Sequence, residues 1–540
     1  MKKFFIRTFW QAILVGLLSG AIVVMFRVGI DKFFNFEMKY IYPHPILFLA
    51  SITFFCLISG ILVYKIAPET SGSGIPYVKA VLIRTGKTIR IRTIFVKFFA
   101  GILAIGSGLS LGREGPSVQL GAGAGSFVGS LFGLKGNHRN KLIAAGAGAA
   151  IGATFNAPIA GTIFILEELV HKFTPSMLFP ALIATVTAAS FARFHLGQNP
   201  TFDISLQTPD MNLWLLIVCI ILGFLCGIFG VLFSKIIFYF NRIYSKIKVP
   251  QYIKPAIAGL ITGALGLTIP YILSSGNSIV GILFQQQFPI TLVCLIFLAK
   301  FIITPIGFSS GAAGGIFLPM LMIGSFLGYI TGYFANDFAS INIATVAALG
   351  MAGFLASVAR TPITAVVMVF EMTGGYDCIL PLMLVAAISD MTAAKFNHKP
   401  IYSTLVINQF INSSEFKLSD KLHVSDVMNK VKTIKSNENI SKIFKTMKQE
   451  GQDIYPITTT DSNKFAGIIT KSDLEDVLLD SSMKNLPASR VLDPTPVTVL
   501  PEDSLYTLYY KLHAESSDYA IVVDKNNKVV GIISHDDILK

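Results

Sequence analysis

A chain that repeats its own helix-breaking pattern about 200 residues later folds as two related halves. Here the pattern is written in glycine and proline. At an offset of 203, Lys97-Phe98 recurs as Lys300-Phe301, and Pro116 as Pro319. At the same offset Gly108, Gly112, Gly121 and Gly125 recur as Gly311, Gly315, Gly324 and Gly328. One residue of slippage later, Gly146 recurs as Gly350, Pro158 as Pro362 and Glu167 as Glu371. In a chain with 45 glycines single matches are expected, but an ordered set that includes prolines and a glutamate is not.

The repeated part reads as membrane-embedded. The chain is 53% hydrophobic and 14% charged, whereas soluble domains carry about 25% charged residues. Apolar runs recur from about 9–26 to 379–394. Some, such as 363–372, are too short for the ~20 residues of a spanning helix, and others, such as 142–169, run well past it. Short, Gly/Pro-broken apolar segments in matching places of two halves point to a transporter with discontinuous helices. The halves are expected at about 1–200 and 201–400, inverted in the membrane. The first run, 9–26, is read as a membrane helix, because no small-residue cleavage site follows it.

Charge is divided unevenly. Of 44 Lys+Arg and 31 Asp+Glu, residues 401–540 hold 16 and 19, leaving 28 and 12 for residues 1–400. A basic surplus confined to the loops and helix ends of a membrane region fits positive-inside anchoring, not nucleic-acid binding. The five cysteines lie in or beside apolar runs without paired spacing, so buried free thiols are expected.

From about Ser413 the chain is polar, and a second repeat appears at an offset of 64. Gly467-Ile-Ile-Thr-Lys-Ser-Asp473 matches Gly531-Ile-Ile-Ser-His-Asp-Asp537, and Tyr455 matches Tyr519. Each unit reads as a helix near 440–450 or 504–514, two strands, then a helix opening at Thr470 or Ser534. Asp473 and Asp537 fall at the third helical position, suited to capping.

Four stretches of the membrane part could each open a helix. They are Gly72-Ser73-Gly74-Ile75-Pro76, Gly112-Arg113-Glu114-Gly115-Pro116, Gly314-Gly315-Ile316-Phe317-Leu318-Pro319 and Lys399-Pro400-Ile401-Tyr402. Helix N-termini converging at mid-membrane offer N–H groups and a partial positive charge to a small anion, without binding it as tightly as a lysine would. Ser73 and Tyr402 add hydroxyl donors. An ionisable residue in hydrocarbon is a functional hypothesis by default. Glu114 would compete with the anion when ionised and withdraw when protonated, acting as gate and proton carrier. Of Glu167 and Glu168, one caps a helix end and the other takes protons from the cytoplasm. Glu371 is read as structural, pairing with backbone or a helix N-terminus.

Together the motifs at 72–76, 112–116, 314–319 and 399–402 resemble the CLC chloride channel and transporter family. That resemblance implies an all-α polytopic membrane protein of two inverted repeats with discontinuous helices, working as a homodimer in the lipid bilayer. It implies chloride coordination by the Ser73 and Tyr402 hydroxyls and the Ile316 and Phe317 amides, with the backbone around Arg113 and Gly115 lining an outer site. Glu114 would be the external gating glutamate, and Glu168 the internal proton glutamate that exchangers carry. The tail resembles a pair of CBS domains, a soluble α/β tandem whose cleft in some members takes ATP, ADP or AMP. Thr470, Asp473, Ser534 and Asp537 occupy the positions that would hold such a nucleotide. The expected division is 1–405 for membrane transport, 406–422 as linker, 423–482 for the first CBS unit and 487–540 for the second.

The expected function is proton-coupled chloride antiport in a prokaryotic inner membrane, with cytoplasmic CBS domains, no required cofactor and no enzymatic activity. A passive voltage- or pH-gated chloride channel on the same fold is the alternative. A fluoride exporter of this fold departs from the motif at the serine. An intramembrane metalloprotease needs His-Glu-x-x-His, a spacing that none of the eight histidines has. A magnesium transporter needs acidic cation ligands in its pore, a poor fit to a membrane part that is strongly basic overall.

Overall fold

The computed structural model describes residues 2–537 apart from 84–88, 172–174, 203–211, 277–278, 280, 282, 284–287, 340, 412–421, 451–453, 461, 472–473, 475–485, 515–516, 518 and 535–536. The chain divides into two compact units. Residues 6–82 with 86–402 form one, and 403–540 with 1–5 and 83–85 form the other.

The first unit is helical throughout. Among its described residues, seven helices are long and apolar enough to cross a membrane, beginning with Arg7–Ile41 and ending with Tyr376–Lys395. Large side chains on their outer faces, such as Trp10, Phe95, Leu298 and Met391, are exposed. An apolar surface of that extent belongs against lipid. The protein is an integral membrane protein.

The remaining helices are short or broken, and the breaks are symmetric. The apolar run 142–169 is not one helix. Asn156, in the left-handed conformation at φ 58°, ends Gly136–Phe155, and Pro158 opens the next helix, Pro158–Phe164. Its mate Arg360, at φ 62°, ends Ile343–Ala359, and Pro362 opens Pro362–Thr373. Proline at the first turn lacks only a donor that would have no partner there. Helices Glu114–Leu131 and Gly136–Phe155 touch through backbone, since a Cβ on Gly121 would overlap the Gly146 carbonyl. Gly324 and Gly350 make the same contact in the second half.

The halves meet at a pseudo-two-fold centre. Gly112 and Gly315 pair as an isolated antiparallel bridge. From it the helices Glu114–Leu131 and Phe317–Ala339 lead away. Antiparallel pairing of equivalent residues relates the halves by a two-fold rotation, as inverted repeats require.

The second unit holds two three-stranded sheets with the same order. In the first, β1 (Ile434–Lys435) pairs parallel with β2 (Ile454–Thr458), and β2 antiparallel with β3 (Phe465–Thr470). In the second, β4 (Thr498–Val499), β5 (Tyr519–Val523) and β6 (Val529–Ser534) repeat that arrangement. The helices Ile440–Glu450 and Leu505–Ala514 pack on them through Ile443 and Met447, and through Leu508 and Leu512. Each unit's leading segment crosses to the other's sheet. Asn429 bridges Ile532, and Asp493 bridges Ile468, two pairs that the offset of 64 interchanges.

Candidate functional site

All four glycine- and proline-marked stretches do open helices, at Ile75, Glu114, Phe317 and Ile401. At the first, Gly72 and Gly74 adopt φ 67° and 95°, a left-handed turn that side chains disfavour. That turn sets Ser73 immediately before the helix.

Ser73 is 2% exposed and Tyr402 fully buried, and neither hydroxyl has a hydrogen-bond partner among the described residues. Buried hydroxyls are normally satisfied, so two orphaned ones in one unit mark a place built for something else to bond. Ser73 Oγ lies against Gly115, where a Cβ would overlap it. Glu114 is fully buried; its Oε2 accepts from Leu318 N–H at 3.3 Å, while its Oε1 has no partner. The carboxylate thus lies on the N-terminus of the Phe317 helix, where the helix dipole and free N–H groups favour negative charge. Ile316 and Phe317 are buried, and the rings of Phe155 and Phe164 pack on the Phe317 ring at 5.7 and 6.2 Å.

Arg113 does not pair with the neighbouring Glu114. Its Nη1 donates to Asp31 at 3.0 and 3.3 Å, and Asp31 also lies 3.8 Å from Arg27 Nε. The guanidinium is held away, leaving the carboxylate next to it to backbone donors. Two buried lysines brace the same region as repeat mates. Lys97 Nζ donates to the carbonyls of Thr70 and Gly72 at 2.8 and 2.6 Å. Lys300 Nζ donates to Ser274 O at 3.0 Å and Ser110 Oγ at 3.1 Å.

The acidic pair at 167–168 splits between two tasks. Glu167 accepts from the N–H groups of Ile363 and Thr364, at 3.1 and 2.6 Å, at the start of a helix in the other half. Glu371 does the same for Ile159 and Ala160, at 3.2 and 2.7 Å. These are the same contact related by the pseudo-two-fold, and they account for Glu371 as the expected helix-terminus partner. Glu167 therefore does not cap its own helix end. Glu168 sits in a helical turn widened to π geometry, Ile165–Leu169, and is 1% exposed. Its Oε1 pairs with Lys79 Nζ at 3.1 Å. The electrostatic fields of both Glu168 and Glu114 reach the Tyr402 phenol, placing it within range of both carboxylates.

Sequence reasoning singled out neither Asp31 nor Lys79. Asp31 lies 82 residues from Arg113 and Lys79 lies 89 from Glu168, and no local spacing joins them.

In the second unit, Ser534 and Asp537 cap one another. Ser534 Oγ and N–H donate to Asp537 Oδ2 at 2.5 and 2.9 Å, and Asp537 N–H donates back to Ser534 Oγ at 3.3 Å. The capping geometry accounts for both side chains, and Thr470 closes β3 at the equivalent place. Asp473 lies outside the described residues.

Fold and site define a class: a polytopic membrane protein of two inverted repeats, whose broken helices bring orphaned hydroxyls and buried carboxylates into one unit. The family profile described as "Voltage gated chloride channel" matches residues 55–394, and that for the CBS domain matches 424–480 and 488–540. The chain belongs to the voltage-gated chloride channel family and carries two C-terminal CBS domains. It is 32% identical over 439 residues to the H+/Cl− exchange transporter ClcA of Vibrio parahaemolyticus, covering 77% of this chain and 91% of that one. To ClcA of Klebsiella pneumoniae it is 33% identical over 416 residues, covering 73% and 87%. Among solved structures, a slow cyanobacterial Cl−/H+ antiporter matches with TM-score 0.70 and 30% identity, over 75% of this chain and 99% of that one. A eukaryotic CLC transporter shares the fold over 99% of both chains, with TM-score 0.71 and 19% identity.

Proposed function

We propose that the chain exchanges chloride for protons, with Glu114 as the external gate and Glu168 as the internal proton acceptor. One observation carries the reading. Two buried carboxylates share a unit with the orphaned hydroxyls of Ser73 and Tyr402. In this reading chloride accepts from those hydroxyls and from the amides of Ile316 and Phe317, an outer site being lined by the backbone at Arg113 and Gly115. Glu114, bonded to the Leu318 amide, then stands where the outer anion would, as a closed gate. Protonation removes its attraction to the helix N-terminus, and the chain opens by exchanging carboxylate for chloride. The similarity to named H+/Cl− exchangers supports the same assignment.

The reading extends to a homodimer in a prokaryotic inner membrane, with residues 1–405 transporting and cytoplasmic CBS units at 423–482 and 487–540. Adenine nucleotide at the CBS pair would have to draw Ser534 and Asp537 out of their mutual cap. Calorimetric titration of the purified chain with ATP, ADP and AMP tests that part. Reversal potentials in liposomes under a pH gradient test transport. A voltage that follows both gradients supports exchange, and one that follows chloride alone makes the chain a passive channel.

A further inference from the structure

Lys79 follows Ser73 by six residues on the Ile75–Ile83 helix and is wholly buried. A buried ammonium is costly unless closely paired, and a carboxylate and an imidazole are among its partners. Nζ lies 3.1 Å from Glu168 Oε1 and 3.0 Å from His171 Nε2. His171 comes directly after the widened turn that holds Glu168, with φ 52°, and is partly exposed. A partly exposed imidazole, a buried amine and a buried carboxylate therefore stand in line, each within hydrogen-bond distance of the next. Glu167 acts on Glu168 through its field but is bonded to the Ile363 and Thr364 amides, and the Glu168 field also reaches Tyr402.

We infer that His171 and Lys79 form the inner proton relay to Glu168, an inference that rests on Glu168 being the internal proton acceptor. The buried ion pair is the loaded relay. Lys79 gives one N–H proton to Glu168 Oε1, leaving a neutral amine and a carboxylic acid. Glu168 passes that proton onward and is a carboxylate again. His171, carrying a proton from solution on Nδ1, hands its Nε2 proton to the Lys79 lone pair and restores the ammonium. The neutral imidazole then keeps its hydrogen on Nδ1 and accepts from the ammonium through Nε2; exchange with water moves that hydrogen to Nε2 only when Lys79 has again become the neutral amine. One proton enters and one leaves, and only N–H and O–H bonds change. Burial and the adjacent Lys79 ammonium push the His171 pKa down to about 3, so the imidazole holds the incoming proton only in passing and hands it on once Lys79 is the neutral amine. Lysine suits the inner step because its amine can lose a proton when buried, which arginine cannot.

The test uses the full chain in liposomes, with chloride and proton fluxes measured together for wild type, Glu168→Gln, His171→Ala and Lys79→Arg. Wild type moving protons and Glu168→Gln moving none establish the acceptor; failure there sinks the functional reading, not the relay alone. Given that, His171→Ala is expected to lower proton flux per chloride by about a hundredfold, the low end for a positioned proton-transfer group. Free imidazole is expected to restore it, a rescue that a merely structural histidine would not show. Lys79→Arg keeps the positive charge beside Glu168 and is expected to lose proton flux as well. Wild-type proton flux in His171→Ala, or a loss that imidazole does not rescue, overturns the relay. The His171→Ala result decides alone if Lys79→Arg does not fold.

Discussion

Gly112 and Gly315 exchange both of their backbone hydrogen bonds, each 2.7 Å from nitrogen to oxygen. They are repeat mates, so this pair joins the two halves of the membrane unit at their pseudo-two-fold centre. Next to each begins the helix N-terminus that its half contributes to the site. The bridge fixes both termini relative to one another before any side chain is considered.

Gly112 has no room for a side chain, and Gly315 has little. A Cβ on Gly112 would strike Glu114 Oε2 and come 2.9 Å from Pro319 Cδ; one on Gly315 would come 3.1 Å from Gly115 N. Gly112→Ala is expected to lower stability by about 1–3 kcal/mol, the usual cost of overpacking. It also displaces the Glu114 carboxylate. Thermal unfolding of the detergent-solubilised protein checks the first effect, and the chloride flux checks the second.

The reciprocal carboxylates Glu167 and Glu371 each satisfy two N–H groups that a helix start leaves free. Glu371→Ala is expected to destabilise by about 1–2 kcal/mol, as loss of a good N-cap does. Glu167→Ala should cost at least as much, because Glu167 also accepts from the Thr364 hydroxyl at 2.6 Å. Unfolding temperatures of the two variants, compared with wild type, read the difference.

Arg113 is 2% exposed and Asp31 about half exposed. Asp31→Asn leaves a buried guanidinium with a weaker acceptor and is expected to cost about 1.5–3 kcal/mol, the range for a hydrogen bond to a charged group. Freed from Asp31, the guanidinium can turn toward Glu114, so gating should shift toward lower pH. Chloride flux against external pH measures that shift. An unchanged profile would mean that Asp31 does not keep the two apart.

Much of this was legible in the sequence, for identifiable reasons. Glycine and proline report backbone geometry directly, so the repeat mates and all four helix starts could be read without coordinates. Periodicity of the apolar runs served less well. It left 142–169 as one segment, because hydropathy does not register the break at Asn156-Ala157-Pro158, where an asparagine takes φ 58° and a proline opens the next helix. Pairings across long sequence distances were least accessible. Arg113 with Asp31, Lys79 with Glu168, and Glu167 with Ile363 and Thr364 are tertiary choices made by packing, and no spacing encodes them. In the tail, the offset of 64 revealed two α/β units but not the crossing of their leading segments.

Because the hydroxyls of Ser73 and Tyr402 bond to nothing among the described residues, removing them should leave stability within about 0.5 kcal/mol of wild type. Their loss should appear in anion binding instead. Ser73→Ala and Tyr402→Phe are each expected to weaken chloride binding by about tenfold or more, as for one hydrogen bond to a charged group. Isothermal titration with chloride measures this, and unchanged affinity in both variants would move the anion site elsewhere.

The central claim is that Glu114 and Glu168 couple chloride to protons. Paired chloride and proton fluxes in liposomes, for wild type, Glu114→Ala and Glu168→Ala, test it most directly. The account expects coupled exchange in wild type and, in both variants, chloride flux that persists while proton movement is lost. Wild-type voltage that follows chloride alone, together with a Glu168→Ala variant indistinguishable from wild type, would contradict it.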